Sequence, residues 1–115
     1  MSLTIYGIPN CDSVRKARGW LDGKGIAYAF HDFKADGVET DVLERWSDRA
    51  DWHSLLNKRS TTFRALGNKE EVATDRAAAL AAMLQQPTLI KRPVLEQGAL
   101  VLVGFNESEW ENALC

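Results

Sequence analysis

The hydrophobic pattern opens with a short run of β-forming residues, Leu3–Tyr6, which predicts a strand, and Gly7-Ile8-Pro9-Asn10 breaks it. From Asp12 the period lengthens. Val14, Ala17 and Leu21 recur on one face of a helix, with Asp12 and Ser13 suited to its first turn and Gly23 or Gly25 to its exit. Ile26, Tyr28 and Phe30 then alternate with smaller or polar residues, so Ile26–Phe33 reads as a second strand. Strand, helix and strand in this length make a βαβ unit, whose strands run parallel.

The middle of the chain is helical in pattern. A helix is expected from about Thr40, with Val42, Leu43 and Trp46 apolar, then a short turn around Trp52–Leu56 and a short helix in "STTFRAL". "TDRAAALAAMLQQ" is a strong helical segment, read with Thr74 as its cap and Leu80, Met83 and Leu84 facing inward; Pro87 ends the pattern. The tail returns to strands. "TLIKRPVLEQGALVLVGF" holds two apolar runs around the turn signal Glu96-Gln97-Gly98, an antiparallel hairpin. In "NESEWENAL", Asn106 and Glu109 are spaced like a capping box at the start of a last helix. The expected order is therefore βαβ, a helical insertion of about residues 40–86, then ββα. With no repeats or linkers in the pattern, residues 1–115 are read as one α/β domain.

Composition narrows the partners. The chain has 115 residues, 14 Lys+Arg against 16 Asp+Glu and a formal net charge of -2, which argues against broad nucleic-acid binding. No apolar stretch approaches the roughly 20 residues that cross a bilayer, and "MSLTIYGIPN" has no basic region followed by an apolar run. A cytoplasmic, monomeric protein with no membrane partner is expected. The two cysteines, Cys11 and Cys115, are far apart in sequence, with neither metal-site spacing nor a Cys-x-x-Cys pair, because Val14 holds the second position. No metal site is expected.

Three features carry candidate chemistry. Cys11 stands where a strand hands over to a helix. There the unpaired N–H groups and the helix dipole favour a thiolate, with Arg15 and Lys16 one turn on and Asp12 opposing them. On the loop alone, an inert buried cysteine is an equal reading. In "IKRPVL", Pro93 precedes a strand and pushes Arg92 towards an extended conformation. Such a proline can be cis, and Arg92 offers a planar fork of donors to an oxyanion; alone, a solvated surface arginine beside a strand-starting proline is the favoured reading. "NKRSTTFR" supplies Lys58, Arg59 and Arg64 among small hydroxyl residues; an anion site beside the cysteine is one reading, and an ordinary basic helix start or solvated face is the favoured one.

Together, "TIYGIPNCDSVRKA", "LLNKRSTTFRAL", "MLQQPTLIKRPVL" and "LVGF" resemble the arsenate-reductase family of the thioredoxin superfamily, the ArsC/Spx/YffB group, over nearly the whole chain; the YffB type is the nearest in character. The resemblance implies a thioredoxin-like fold, with Cys11 as the reactive thiol, Pro93 as the cis-proline and Arg92 as the family's arginine before it. It implies catalysis by Cys11 and Arg92, with Asn10, Arg15, Arg59, Arg64 and Pro93 as candidates for binding substrate or glutathione. One cysteine suffices if glutathione, or another small or protein thiol, supplies the second sulfur as co-substrate. Glutaredoxin is then a candidate partner, and no bound cofactor is implied. Two alternatives come with the family: arsenate reduction, and a non-enzymatic Spx-like protein docking on a partner such as RNA polymerase. Gly7 replaces a histidine of arsenate reductases, Asn57 and Gly104 replace arginines, and Val14 removes the Spx Cys-x-x-Cys switch.

Overall fold

The computed structural model describes residues 2–115, which form two compact units, one of residues 2–32 with 92–115 and one of Phe33–Lys91. The first unit is built on a four-stranded sheet in the order β2-β1-β3-β4. Strand β1 (Leu3–Gly7) leads through a loop into helix α1 (Asp12–Gly23) and on to β2 (Ala29–Asp32). β2 runs parallel to β1, as the βαβ reading requires. β3 (Val94–Gln97) runs antiparallel to β1 and forms a hairpin with β4 (Leu100–Val103).

Alternation in β1 sends Leu3 and Ile5 to one face, where they meet Ala17 and Leu21 of α1, Leu95 of β3 and Trp110. Full burial of each large apolar side chain is worth about 1.5–3 kcal/mol. Trp110 lies in the last helix (Glu107–Leu114), is fully buried, and donates its Nε1–H to the Gly104 carbonyl at 3.2 Å. Phe105 and Trp20 meet its ring edge-on, with centroids 4.9 and 6.1 Å away. Asn106 caps this helix by accepting from the Glu109 N–H, as its spacing predicts.

The second unit is helical. Following α1 in chain order, it holds α2 (Phe33–Asp36), α3 (Thr40–Arg49), α4 (Trp52–Leu55), α5 (Thr61–Arg64), α6 (Lys69–Thr74) and α7 (Arg76–Gln85), with a 3-10 turn over Pro87–Leu89. The helix Glu107–Leu114 of the first unit is α8. Helix α7 packs on α3 and α6, and Phe33 meets Trp46 edge-on at 6.3 Å.

Several boundaries differ from the pattern reading. The second strand stops at Asp32 and Phe33 begins a helix, so the helical unit is wider than residues 40–86. Helix α7 is capped by Asp75, whose carboxylate accepts from the Ala78 N–H, while Thr74 closes α6. Helix α6 carries one buried apolar residue, Val72, too few to show a period. The hairpin turns at Gly98-Ala99, not at Glu96-Gln97-Gly98: Gln97 pairs with Leu100, and Gly98 takes the positive φ (59°) that a tight hairpin needs. The apolar run from Thr88 does not enter the sheet. Ile90 pairs instead with Leu56 in an isolated antiparallel bridge, and β3 begins only after Pro93, which has no N–H for a ladder.

Candidate active site

Antiparallel pairing builds the site. Tyr6, near the end of β1, pairs with Val94, the first residue of β3. The loop that leaves β1 and the segment that enters β3 therefore lie at the same edge of the sheet. The first carries Cys11 and the second Arg92-Pro93, both within the first unit.

The loop after Gly7 closes as a turn, with the Cys11 N–H donating to the Ile8 carbonyl at 3.1 Å and Pro9 at its second position. Cys11 is extended (φ -88°, ψ 130°), and its carbonyl accepts from the Arg15 N–H at 2.9 Å. It is thus the N-cap of α1, partly exposed and free of any disulfide. Its neutral thiol makes no capping hydrogen bond. Burial pushes the Cys11 thiol up, but the nearby Val14 N–H, the Arg92 side chain, the Ser13 N–H and the Arg92 charge together hold it below its ordinary value. These are the interactions that favour a nucleophilic thiolate.

Arg92 is half-buried and joined to Pro93 by a cis peptide bond. The Pro93 carbonyl accepts from the Gly104 N–H at 2.8 Å, and Gly104 is buried at positive φ (77°). This fixes the backbone on which Arg92 stands.

Neighbours of Cys11 divide differently from expectation. Arg15 turns to Asp12, pairing guanidinium with carboxylate at an exposed position. That hydrogen bond, then the Arg15 charge, holds the Asp12 carboxyl below the usual carboxylate range. Asp12 is therefore engaged with Arg15, and Arg15 with Asp12. Asn10 is exposed in the turn. Arg59 and Arg64 belong to the helical unit and are exposed there; the Arg59 N–H donates to Asn57 Oδ1 at 3.1 Å. The structure thus gathers Cys11, Arg92 and Pro93 in one unit and sets Arg59 and Arg64 in the other. Among the described residues, no group of three or more His, Cys, Asp or Glu side chains gathers as a metal site, and no helix is long and apolar enough to cross a membrane.

One site determinant escaped the sequence reading. Gly7 is buried, and a Cβ built on it would lie 2.6 Å from Val14 Cγ2. Two of the positions that depart from the family pattern, Gly7 and Val14, are packed against each other. Valine fills the space a side chain at residue 7 would need.

Comparison with known proteins gives a consistent picture. The ArsC family model matches residues 6–113. The YffB (PA3664) protein is similar at 45% identity with a TM-score of 0.93, covering 99% of this chain and 100% of that one. The solution structure of an arsenate reductase (ArsC) related protein from Brucella melitensis is 46% identical, with a TM-score of 0.77 and coverage of 97% and 93%. The global transcriptional regulator Spx of Listeria innocua is 29% identical over 93% of this chain and 82% of its own length.

Proposed function

Because the chain belongs to the ArsC family, we propose that it is a thiol reductase that works through one cysteine, Cys11, with glutathione as co-substrate. The observation that carries this reading is the setting of Cys11. A partly exposed thiol at the start of a twelve-residue helix has Arg92 and two helix N–H groups favouring its ionised form.

The chemistry balances with a single protein sulfur. The Cys11 thiolate attacks the glutathionyl sulfur of a glutathione mixed disulfide. A new S–S bond forms on Cys11, the old one breaks, and the substrate leaves as its thiolate with the bonding pair. A second glutathione thiolate then attacks the glutathionyl sulfur on Cys11, releasing oxidised glutathione and restoring the Cys11 thiolate. Arg92 has two roles here: it stabilises the sulfur charge at the start and end of each exchange, and it orients an anionic group of the incoming thiol. Pro93 sets the backbone beside Cys11. In this reading residues 1–115 act as one ArsC-type domain.

Arsenate reduction is a poorer fit to the same site. It asks for several donors around a dianion. Gly7 and Gly104 supply no side-chain donor, and Val14 occupies the space a residue-7 side chain would take.

The test is mass spectrometry after treatment with oxidised glutathione, joined to alkylation rates measured against pH. One glutathione on Cys11 and an alkylation midpoint below the free-thiol value of roughly 8.5 are expected. A midpoint at or above that value overturns the enzyme reading and favours a binding role.

A further inference from the structure

The helical unit carries a polar concavity of its own. A cavity of about 400 Å³ is lined by His53, Leu56, Asn57, Lys58, Arg59 and Lys91. Its floor is held by a small backbone ladder. Asn57 N–H donates to the Leu89 carbonyl at 2.8 Å and Lys91 N–H to the Leu55 carbonyl at 2.7 Å, on either side of the Leu56–Ile90 bridge. This ladder joins two segments distant in sequence, so that Lys58 and Arg59 on one and Lys91 on the other open on the same cavity. The Asn57 side chain turns the first segment by accepting from the Arg59 N–H, and Ser60 Oγ donates to the Asn57 carbonyl at 2.9 Å.

The charge balance of this cavity is one-sided. Arg15, Lys24 and Arg76 elsewhere each lie against a carboxylate. Lys58, Arg59 and Lys91 have none within ion-pair distance among the described residues. The nearby carboxylate in sequence, Asp51, is taken by His53, whose Nδ1 lies 2.7 Å from Oδ1. In a chain with a net charge of -2, three uncompensated cations around one hollow are a local reversal of sign.

We propose that this cavity binds a diphosphate group, either free or carried by a nucleoside. Three cations leave a monoanionic carboxylate overcompensated, whereas a diphosphate carries about that many negative charges near neutral pH. The Arg59 guanidinium supplies a planar fork for two phosphate oxygens, and the lysines act as point charges on the second phosphate. A volume of about 400 Å³ falls within the range of small-molecule sites. An extended acidic polymer would need cations strung along an open face; here they surround a hollow.

The experiment is isothermal titration at low salt on the full chain carrying Cys11→Ser, so that loss of thiol chemistry does not bear on the result. The probes are inorganic pyrophosphate, inorganic phosphate and ADP. Saturable binding of pyrophosphate, tighter than phosphate, is expected, and Arg59→Gln and Lys91→Gln should each weaken it about tenfold or more. Lys69→Gln, on α6 and outside the cavity, should leave it unchanged. ADP binding tighter than pyrophosphate would assign the nucleoside-borne form, and equal affinities the diphosphate alone. No saturable pyrophosphate binding overturns the site. So does phosphate binding as tightly as pyrophosphate, or an equal loss in Lys69→Gln, which would mark a general charge effect. Circular dichroism of each variant confirms that the ladder-bearing unit is folded.

Discussion

Two helix starts in this protein have the same backbone geometry and opposite uses. At α5, Ser60 is extended (φ -69°, ψ 149°) and its Oγ accepts from the Phe63 N–H at 3.1 Å. At α1, Cys11 is equally extended, yet its side chain makes no capping bond. Asp51, Asp75 and Asn106 cap their helices as Ser60 does. An oxygen uses the helix N–H groups at once, as stability worth about 1 kcal/mol. A neutral thiol is a weak acceptor and leaves them for the charged form, so the same donors appear as a lowered Cys11 pKa. The linkage has a definite sign. A thiol whose folded pKa is depressed contributes stability above its unfolded pKa and loses it as pH falls through the folded one.

The strongest way to break this contrast is Cys11→Ser. Exchange with a glutathionylated peptide should be abolished, while the melting temperature holds or rises, because serine caps the α1 start by about 0.5–1 kcal/mol. A variant that melts well below the wild type would mean the sulfur itself packs the helix start. Next in size is Gly7→Ala. Its methyl would collide with Val14 Cγ2 at 2.6 Å, and urea denaturation should show a loss of about 1–3 kcal/mol. Val14→Ala in the same chain should recover part of that loss; strict additivity would dissolve the proposed pairing of the two positions.

Arg92→Gln sharpens the electrostatic side. The pH midpoint of Cys11 alkylation should move up, since both the Arg92 hydrogen bond and its charge hold the thiol down. Exchange near neutral pH should slow by about tenfold, and an unchanged midpoint would remove Arg92 from the site. The smallest effect is expected at the contrasting cap. Ser60→Ala should cost about 1 kcal/mol of stability and leave the Cys11 midpoint where it was.

How far the site could be read in advance depended on how local each feature was. The strand, the Gly-Pro loop and the period-3.6 face of α1 are contiguous, so Cys11 at a helix start was legible from residues 3–21. Asn106 was legible as a cap for the same reason. Where two neighbouring residues could both cap, as at Thr74 and Asp75, local preference could not choose between them. The packing of two short helices end to end did. Likewise, the apolar run after Thr88 suits a strand in either of two places, and only the available partner sent Ile90 to Leu56 while Val94 went to β1.

By itself, then, the sequence determined the coarse order of βαβ, helices and ββα, the helix-start position of Cys11, and the lack of a second cysteine at residue 14, since each is written in consecutive residues. Arg92 was marked as a candidate by the proline that follows it and by family resemblance, but nothing local says what it stands beside. Tertiary structure decided that. Antiparallel pairing of β1 with β3 turns a long separation along the chain into neighbouring loops at one sheet edge. It also decided that Arg15 serves Asp12, that Gly7 and Val14 share one space, and that Lys91 joins Lys58 and Arg59 around a single hollow. The physical reason is the same in each case. Charge and van der Waals contact act over a few ångströms, and only the folded chain sets which side chains come that close.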